Sequence, residues 1–331
     1  MMLFLGLGFF QRPLLANTEN GVEGIKDSPL NITTVNKNQY FMVKSIVLDK
    51  HNVEYLSDNE KEIYDFKYGE DIINNISERD LFIYSGMNNE PWINEFIGKL
   101  KKGDLGIINM SRGIKTLTYE KNGVVSENPY YWLGINEYKI ALYNIKSAIQ
   151  EKDPKNKNYY EENYSNVIRD IEKYIKDISV ELEKYKDYTI LTNTNTFDYL
   201  LNDLGLTKIM IEEEITRSVL LEKNLDENKI IFIKEKNIME SPIKLESKID
   251  NEKLEEKEEK LDENLDESEN LWKKEDQTDK LSDITELELS EPLDIKEAEL
   301  VRWDEEKTLT ELFISNIKLV VDTLEKLSID K

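Results

Sequence analysis

Short apolar runs alternate with helical patterns along the first half of the chain. Residues 31–44 and 53–56 predict a strand, a helix and a second strand. Two further apolar runs, 80–86 and 105–110, predict short buried strands, and residues 136–150 carry apolar side chains at helical spacing. Strands that alternate with helices are typical of a mostly parallel sheet with covering helices.

A single long helical pattern follows in the middle of the chain. Residues 160–184 repeat apolar side chains every three or four positions without Gly or Pro, which predicts a helix of roughly 35–40 Å. Strands are predicted again at 188–191 and 229–233, with a helical stretch between them, and a last helix over 304–327. A helix of this length suits a rigid connector between two lobes as well as a core helix of one lobe.

The charge balance narrows the classes of partner. The 331 residues contain 68 acidic and 44 basic side chains, for a formal net charge of −24. Phosphate binding needs a basic face, so nucleic acid is a poor partner, and an anionic membrane surface is disfavoured for the same reason.

The rare residue types exclude several chemistries. There is no Cys and one His, which excludes disulfides, thiol catalysis, and zinc sites built from His or Cys. No Gly-x-Ser-x-Gly or phosphate-loop motif occurs, so we do not expect an enzyme. The one histidine, His51, follows Asp-Lys ahead of a predicted strand and is expected on the surface in a turn.

The N-terminal segment and one internal segment have distinctive compositions. Residues 1–10 are apolar but too short to span a membrane, and they resemble the apolar part of an export signal with cleavage after Ala16. No Cys follows that could carry a lipid anchor. Residues 251–290 contain sixteen acidic and six basic side chains, which is typical of a solvated insertion. An acidic loop that collects cations weakly is the alternative.

Five segments, in order, resemble the zinc/manganese-type solute-binding proteins of ABC importers. They are 80–92 (DLFIYSGMNNEPW), 109–115 (NMSRGIK), 128–133 (NPYYWL), 153–160 (DPKNKNYY) and 194–199 (TNTFDY) with the downstream LGL of 204–206. Each motif is short, and their common order along the chain carries the resemblance.

The resemblance implies an α/β fold of two Rossmann-like lobes joined by a long connector helix, with the ligand cleft between the lobes. It gives an export signal at 1–16, an N-terminal lobe at 25–158 and a connector helix at 159–186. The C-terminal lobe is 187–331, with the acidic insertion at about 246–288. The cleft location agrees with the rule that open α/β sheets bind ligands beyond the carboxyl ends of their strands.

The same resemblance assigns the metal-ligand positions, and there the sequence departs from the family. The family uses histidines and carboxylates, whereas the matching positions here hold Tyr64, Tyr130, Thr194 and Glu291. Trp132 and Asn195, next to two of these positions, are expected in the ligand cleft.

An oxygen-only set of donors changes the expected cargo. Zinc favours nitrogen and sulfur, and deprotonating a tyrosine at pH 7 costs roughly 4 kcal/mol. A ferric ion could offset that cost more readily than zinc or manganese, since tyrosinate ligates iron elsewhere. Packed aromatic residues filling a former metal pocket are an alternative, as is a cleft for a small organic solute or a metal chelate.

The leading function hypothesis is an exported, periplasmic or envelope solute-binding protein that acts as a monomer. It would deliver a metal ion (zinc, manganese or ferric iron) or another small solute to an ABC permease and its ATPase. No resident cofactor is expected. The alternative is an envelope interaction or scaffold protein that kept the fold and lost metal binding.

Overall fold

The computed structural model describes residues 28–58, 60–87, 89–101, 103–121, 123–212, 214–236, 293, 295–301 and 309–329. The expected export segment, the acidic insertion, Glu291 and the beginning of the predicted last helix lie outside the described residues.

The first sheet contains four parallel strands in the order β2-β1-β3-β4. The strands are β1 (Asn31–Asn36), β2 (Asn52–Ser57), β3 (Leu81–Tyr84) and β4 (Gly106–Asn109). The helices between them are α1 (Lys37–Val47), α2 (Glu60–Tyr64), α3 (Glu70–Ser77) and α4 (Ile93–Lys99). All four predicted strands of this half are confirmed.

Helix α1 begins abruptly because a capping box marks its start. The Asn36 side chain accepts a hydrogen bond from the Gln39 backbone N–H, and the Gln39 side chain accepts one from the Asn36 N–H. These contacts satisfy backbone donors that the first helical turn leaves unpaired.

The second sheet repeats the parallel arrangement, in the order β10-β9-β7-β8. The strands are β7 (Thr189–Thr192), β8 (Thr207–Met210), β9 (Ile230–Glu235) and β10 (Lys296–Leu300). Helices α7 (Asp198–Asp203) and α8 (Arg217–Glu222) belong to this half. The predicted strands at 188–191 and 229–233 are confirmed as β7 and β9, whereas β8 and β10 were not predicted.

Between the sheets the chain forms a hairpin and two long helices. The antiparallel hairpin is β5 (Thr118–Lys121) with β6 (Val124–Glu127). A 3-10 turn at Tyr131–Leu133 leads into α5 (Ile135–Lys152), and α6 (Lys157–Leu182) is the predicted connector. The sequence signal for the hairpin is Asn122-Gly123, the residue pair that two-residue hairpin turns favour.

The final helix, α9 (Leu309–Ile329), packs against both halves of the molecule. It contacts β9 and β10 of the second sheet, the connector α6, and α1 beside the first sheet. One continuous apolar core consequently includes Met42 of α1, Ile190 of β7 and Val320 of α9. The two lobes are therefore packed together through a shared core as well as joined by α6.

The expectation that His51 lies on the surface is wrong. His51 is 7% exposed, and its Nδ1 accepts the backbone N–H of Leu30 at 3.2 Å. Its Nε2 lies 2.6 Å from the hydroxyl of Tyr160, which also bonds the Asp153 carboxylate. His51 is buried because the start of α6 covers its ring, a contact between residues more than a hundred positions apart, whereas its neighbours Lys50 and Asn52 are exposed.

Within the part of the chain that the structure describes, no helix is both long enough and apolar enough to cross a membrane.

Candidate functional site

A cavity of about 490 Å³ lies between the β5–β6 hairpin and the carboxyl ends of β7 and β8. Its wall is formed by Thr118, Tyr119, Glu120, Pro129, Tyr130, Asn193, Thr194, Asn195, Thr196, Asp198, Lys208, Met210 and Glu212. We call this cavity the cleft. Its position at strand carboxyl ends is the one that open α/β sheets use for ligands.

The buried Tyr199 of α7 joins the two walls of the cleft. Its hydroxyl accepts the Leu117 N–H at 2.9 Å and donates to the Asn128 carbonyl at 3.0 Å. These two residues flank the hairpin, and the Asn128 N–H closes its base onto the Leu117 carbonyl at 2.7 Å. The Asn128 side chain adds a bond of 2.7 Å to the carbonyl of Asn195. The hairpin is therefore held against the second sheet.

The loop after β7 forms the opposite wall through a chain of hydroxyls. The Thr194 hydroxyl lies 2.7 Å from that of Thr196, and it accepts the Thr196 N–H at 3.1 Å. The Thr196 hydroxyl donates to a carboxylate oxygen of Glu235 at 2.9 Å. The Thr196 hydroxyl has a single proton and donates it to Glu235. In the bond between the two hydroxyls Thr194 is therefore the donor and Thr196 the acceptor. A buried carboxylate behind the wall thus sets the direction of both hydroxyls.

Lys208, the one lysine of the cleft wall, forms an ion pair with Asp198. The Lys208 ammonium lies 2.5 Å from the Asp198 carboxylate and 3.5 Å from the Asn195 side-chain oxygen. Burial raises the pKa of Asp198, and the lysine opposes that shift only in part. The remaining charged wall residues are the exposed carboxylates Glu120 and Glu212.

Three of the six predicted site residues meet in this cleft. Tyr130 comes from the segment after the hairpin, and Thr194 and Asn195 come from the loop after β7. Tyr130 and Thr194, the two residues that the resemblance assigns as metal-ligand positions, therefore share one cavity wall although they are 64 positions apart in the chain.

The other three predicted residues do not line the cleft among the described residues. Tyr64, at the end of α2, is 60% exposed and outside the cavity wall. Trp132 is only 3% exposed and lies behind the wall, where it packs edge-on against the ring of Tyr130. Glu291 lies outside the described residues, ahead of β10 in the chain.

Two polar residues at the cleft were missed by sequence reasoning. Glu235 ends β9 as a buried carboxylate, and the sequence marks it only as the second of two charged residues that follow the apolar run 230–233. The side-chain oxygen of Asn193 is buried in the wall and has no hydrogen-bond partner among the described residues. Nothing in the sequence distinguishes Asn193 from its neighbour Asn195.

The donor chemistry of the cleft differs from that of a metal site built from His and carboxylates. No group of three or more His, Asp or Glu side chains in the described part of the chain is placed to hold a metal ion. Tyr130 and Thr194, which the resemblance assigns as ligand positions, supply a phenol and a hydroxyl, and the hydroxyl of Thr194 is already bonded. Zinc prefers nitrogen or sulfur donors, so this wall fits zinc poorly.

A second polar network lies at the carboxyl ends of β1 and β3. The fully buried Glu90 carboxylate accepts the N–H groups of Ser85 at 2.9 Å and Gly86 at 3.1 Å. The Gln39 amide donates to it at 3.2 Å. Burial raises the pKa of Glu90 to about 7 against these hydrogen bonds. The network holds the turn after β3 against the capped start of α1, and it does not line the cleft.

Two parallel sheets, a connector helix and a cleft at strand carboxyl ends define the class of two-lobed solute-binding proteins. Solved structures share this fold. A Zn(II)-bound AdcAII variant of Streptococcus pneumoniae aligns with a TM-score of 0.62 at 19% identity, over 90% of this chain and all of that one. FpvC of Pseudomonas aeruginosa in complex with Mn²⁺ aligns with a TM-score of 0.63 at 16% identity, over 90% and 99%.

Sequence comparison identifies the family. The family described as zinc-uptake complex component A, periplasmic (ZnuA), matches residues 32–276, and this chain belongs to it. The high-affinity zinc uptake system protein ZnuA of Bacillus subtilis is 27% identical over 59% of this chain. The manganese ABC transporter substrate-binding lipoprotein PsaA of Streptococcus pneumoniae is 26% identical over 76% of this chain and 85% of its own length.

The extent of the match differs among the relatives. The chain spans 65% of the Bacillus protein and 53% of a metal ABC transporter substrate-binding lipoprotein of Lactococcus lactis, which is less than two thirds of each.

Proposed function

We propose that this protein is the exported solute-binding component of an ABC importer and that it holds its cargo in the cleft. The observation that carries the proposal is that Tyr130 and Thr194, which the resemblance assigns as ligand positions, line one cavity at the carboxyl ends of β7 and β8. A cavity of this kind between two α/β lobes is the usual place for a transported solute.

The partners follow from the family. A solute-binding component hands its cargo to a permease whose ATPase drives transport, so we propose such a pair as the partners of this chain. The relatives named as zinc, manganese and iron binders support a cation as cargo. The alternative of a scaffold protein that lost its cargo has no comparable support. A monomeric state remains a prediction.

The proposal is tested by reconstituting the permease–ATPase pairs of the source organism in proteoliposomes. Addition of this protein with its cargo should stimulate ATP hydrolysis by one pair. A Tyr130→Ala, Thr194→Val double variant that folds normally should lose cargo binding and the stimulation together. If no pair responds to the protein in any loaded state, the transport proposal is wrong.

The nature of the cargo needs a separate measurement. Metal content of the purified protein and thermal shifts with zinc, manganese, ferric iron and EDTA test the metal cargoes. A ligand at a hundred times its dissociation constant stabilises a protein by about 2.7 kcal/mol, which such shifts detect easily. A ferric shift accompanied by a visible phenolate absorption would indicate that Tyr130 ligates the ion.

A further inference from the structure

Helix α5 begins without a capping side chain of its own. Its N-cap residue is Gly134, which has no side chain to accept the free backbone N–H groups of the first turn. In most helices a Ser, Thr, Asp or Asn at the N-cap accepts one of these groups. The start of α5 therefore needs an acceptor from elsewhere in the fold.

That acceptor is Asp203, the last residue of α7. One oxygen of its carboxylate accepts the Ile135 N–H at 2.5 Å and the Asn136 N–H at 3.4 Å. The other oxygen accepts the side-chain amide of Asn136 at 2.8 Å. The dipole of α5 also favours a negative charge at this end. A helix of the second half of the chain thus caps a helix that precedes the connector.

The same face of α7 holds the chain at a second place. Tyr199 lies four positions before Asp203, and residues at this spacing share a helix face. The Tyr199 hydroxyl bonds the Leu117 N–H and the Asn128 carbonyl at the base of the hairpin. A Cβ built on Gly134 would lie only 2.7 Å from the Cβ of Tyr199, so a glycine is needed where the backbone approaches α7 this closely.

Tyr130 lies inside the segment that α7 fixes at both ends. Residues 128–135 are bonded to Tyr199 through Asn128 and to Asp203 through Ile135. The loop that carries Thr194 leads directly into α7. The two walls of the cleft are therefore joined to each other through one short helix.

The first half of the chain holds the same segment by separate contacts. The Tyr131 hydroxyl donates to the Ser85 carbonyl at 2.8 Å, and the Asn89 side chain donates to the Pro129 carbonyl at 3.3 Å. Helix α5 also packs against α1 and α6. Loss of the bonds to α7 should therefore loosen the junction at the cleft without unfolding the segment or α5.

From these contacts we infer that Asp203 and Tyr199 are positioning residues of the cleft, which clamp residues 128–135 and so fix Tyr130 relative to Thr194. Neither residue lines the cavity, and both act through the backbone that they bond. This inference rests on the proposed function, because the clamp affects cargo only if the cleft holds it.

The test is the distance across the clamp, measured by pulsed electron paramagnetic resonance between two nitroxide labels on the full chain. The chain has no Cys, so Val124→Cys in the hairpin and Glu222→Cys on α8 provide the two labelling sites. Both positions are exposed. We expect a single narrow distribution of distances in this doubly labelled chain.

Two variants release the clamp from its two ends. Asp203→Ala and Tyr199→Phe should each broaden the distance distribution. Hydrogen exchange of the same variants should be about tenfold faster in residues 117–136, which corresponds to about 1.4 kcal/mol of local stability, and unchanged in β1 and β9. Tyr199→Phe keeps the buried ring, so it provides the test if Asp203→Ala does not fold.

Two controls separate positioning from general loss of stability. Asp203→Asn keeps an acceptor oxygen for the start of α5 and should retain the narrow distribution. Asp226 accepts the Asn228 N–H at 2.9 Å and caps the 3-10 turn Glu227–Lys229, away from the cleft wall. Asp226→Ala should leave the distances and the exchange of residues 117–136 unchanged.

The outcomes separate this inference from the proposed function. A broad distribution in the doubly labelled chain would overturn the inference, as would faster exchange throughout the protein in both clamp variants. A clamp variant that leaves the distances unchanged would show that its residue does not position the cleft. These measurements need neither cargo nor permease, so their failure leaves the transport proposal intact. An intact clamp in a protein that stimulates no permease–ATPase pair would refute the transport proposal alone.

Discussion

The hydroxyl of Thr196 donates a hydrogen bond of 2.9 Å to the carboxylate of Glu235, and both side chains are buried. The bond links the loop after β7 to the carboxyl end of β9, two segments that meet only in the folded sheet. It also determines that Thr194, which faces the cleft, donates inward to Thr196. The orientation of the cleft wall thus depends on a carboxylate that does not line the cavity.

Replacing Thr196 with Val, which has the same shape, should destabilise the protein by about 1–3 kcal/mol, because a buried carboxylate loses a donor. Chemical denaturation measures the change in the free energy of unfolding. Thr207→Val is the matched control, since Thr207 is an exposed strand residue of the same sheet, and we expect a change within about 0.5 kcal/mol there. Equal effects of the two substitutions would contradict the role of the Thr196–Glu235 bond.

Glu90 should make the protein less stable as the pH rises. Its pKa is raised from 4.5 to about 7 in the folded state, chiefly by burial. Between these values Glu90 binds more protons in the folded state than in the unfolded state, so the stability that Glu90 contributes is fully present below about pH 4.5 and is lost as the pH rises through 7. The contribution is about 3 kcal/mol. Unfolding of the protein and of Glu90→Gln, compared across this range, should show a flatter profile for the variant, and parallel profiles would refute the assignment.

His51 should act in the opposite direction. Burial lowers its pKa despite the nearby charge of Asp153, so the neutral imidazole is the folded form. Protonation would place a hydrogen on Nδ1, which accepts the Leu30 N–H, and would break that bond. Stability contributed by His51 is therefore present above about pH 6.5 and is lost as the pH falls. We expect His51→Gln to be less stable than the unmodified chain at neutral pH, with a gap that narrows toward about pH 5. A constant gap would contradict this account.

Two lysines that both link α5 to α6 form a matched pair. Lys146 is 4% exposed in its side chain, lies 2.8 Å from Glu161 and sits between the rings of Tyr143 and Tyr164 at 4.5 and 4.6 Å. We expect Lys146→Met, which keeps the apolar stem, to cost about 1–3 kcal/mol through loss of the ion pair and the ring contacts.

Lys139 is the comparison. It bonds Glu172 at 2.7 Å across the same two helices, but its side chain is 28% exposed and the carboxylate 56%. Water screens such a pair, so Lys139→Met should cost less than about 1 kcal/mol. Thermal denaturation of the two variants side by side measures the difference. A larger loss at Lys139 would show that burial does not determine the contribution of these pairs.

The periodic segments could be read from the sequence because their signal is local. The strands of the first sheet and α6 follow from side chains that repeat along a few turns or a few strand positions. The edge strand β10 was missed, since four of the five residues of Lys296–Leu300 are Lys, Glu or Ala, which are depleted in strands. Only the fold shows that Lys234 of β9 neutralises its two carboxylates, Glu297 at 2.6 Å and Glu299 at 3.1 Å.

The candidate site was predictable to the extent that its motifs are local. Ordered motifs were enough to place Tyr130, Thr194 and Asn195 in one cleft. The exposure of Tyr64, the burial of Trp132 behind the wall and the orienting role of Glu235 needed the tertiary structure.

The sequence by itself determined the class of fold, the order of the main elements and the acidic, His-poor chemistry of the chain. The tertiary structure decided which side chains face the cleft, that His51 is buried against Tyr160, and that a carboxylate behind the wall orients Thr194. The reason is that element type follows from the spacing of neighbouring residues, whereas the direction and burial of a side chain depend on partners far away in the chain.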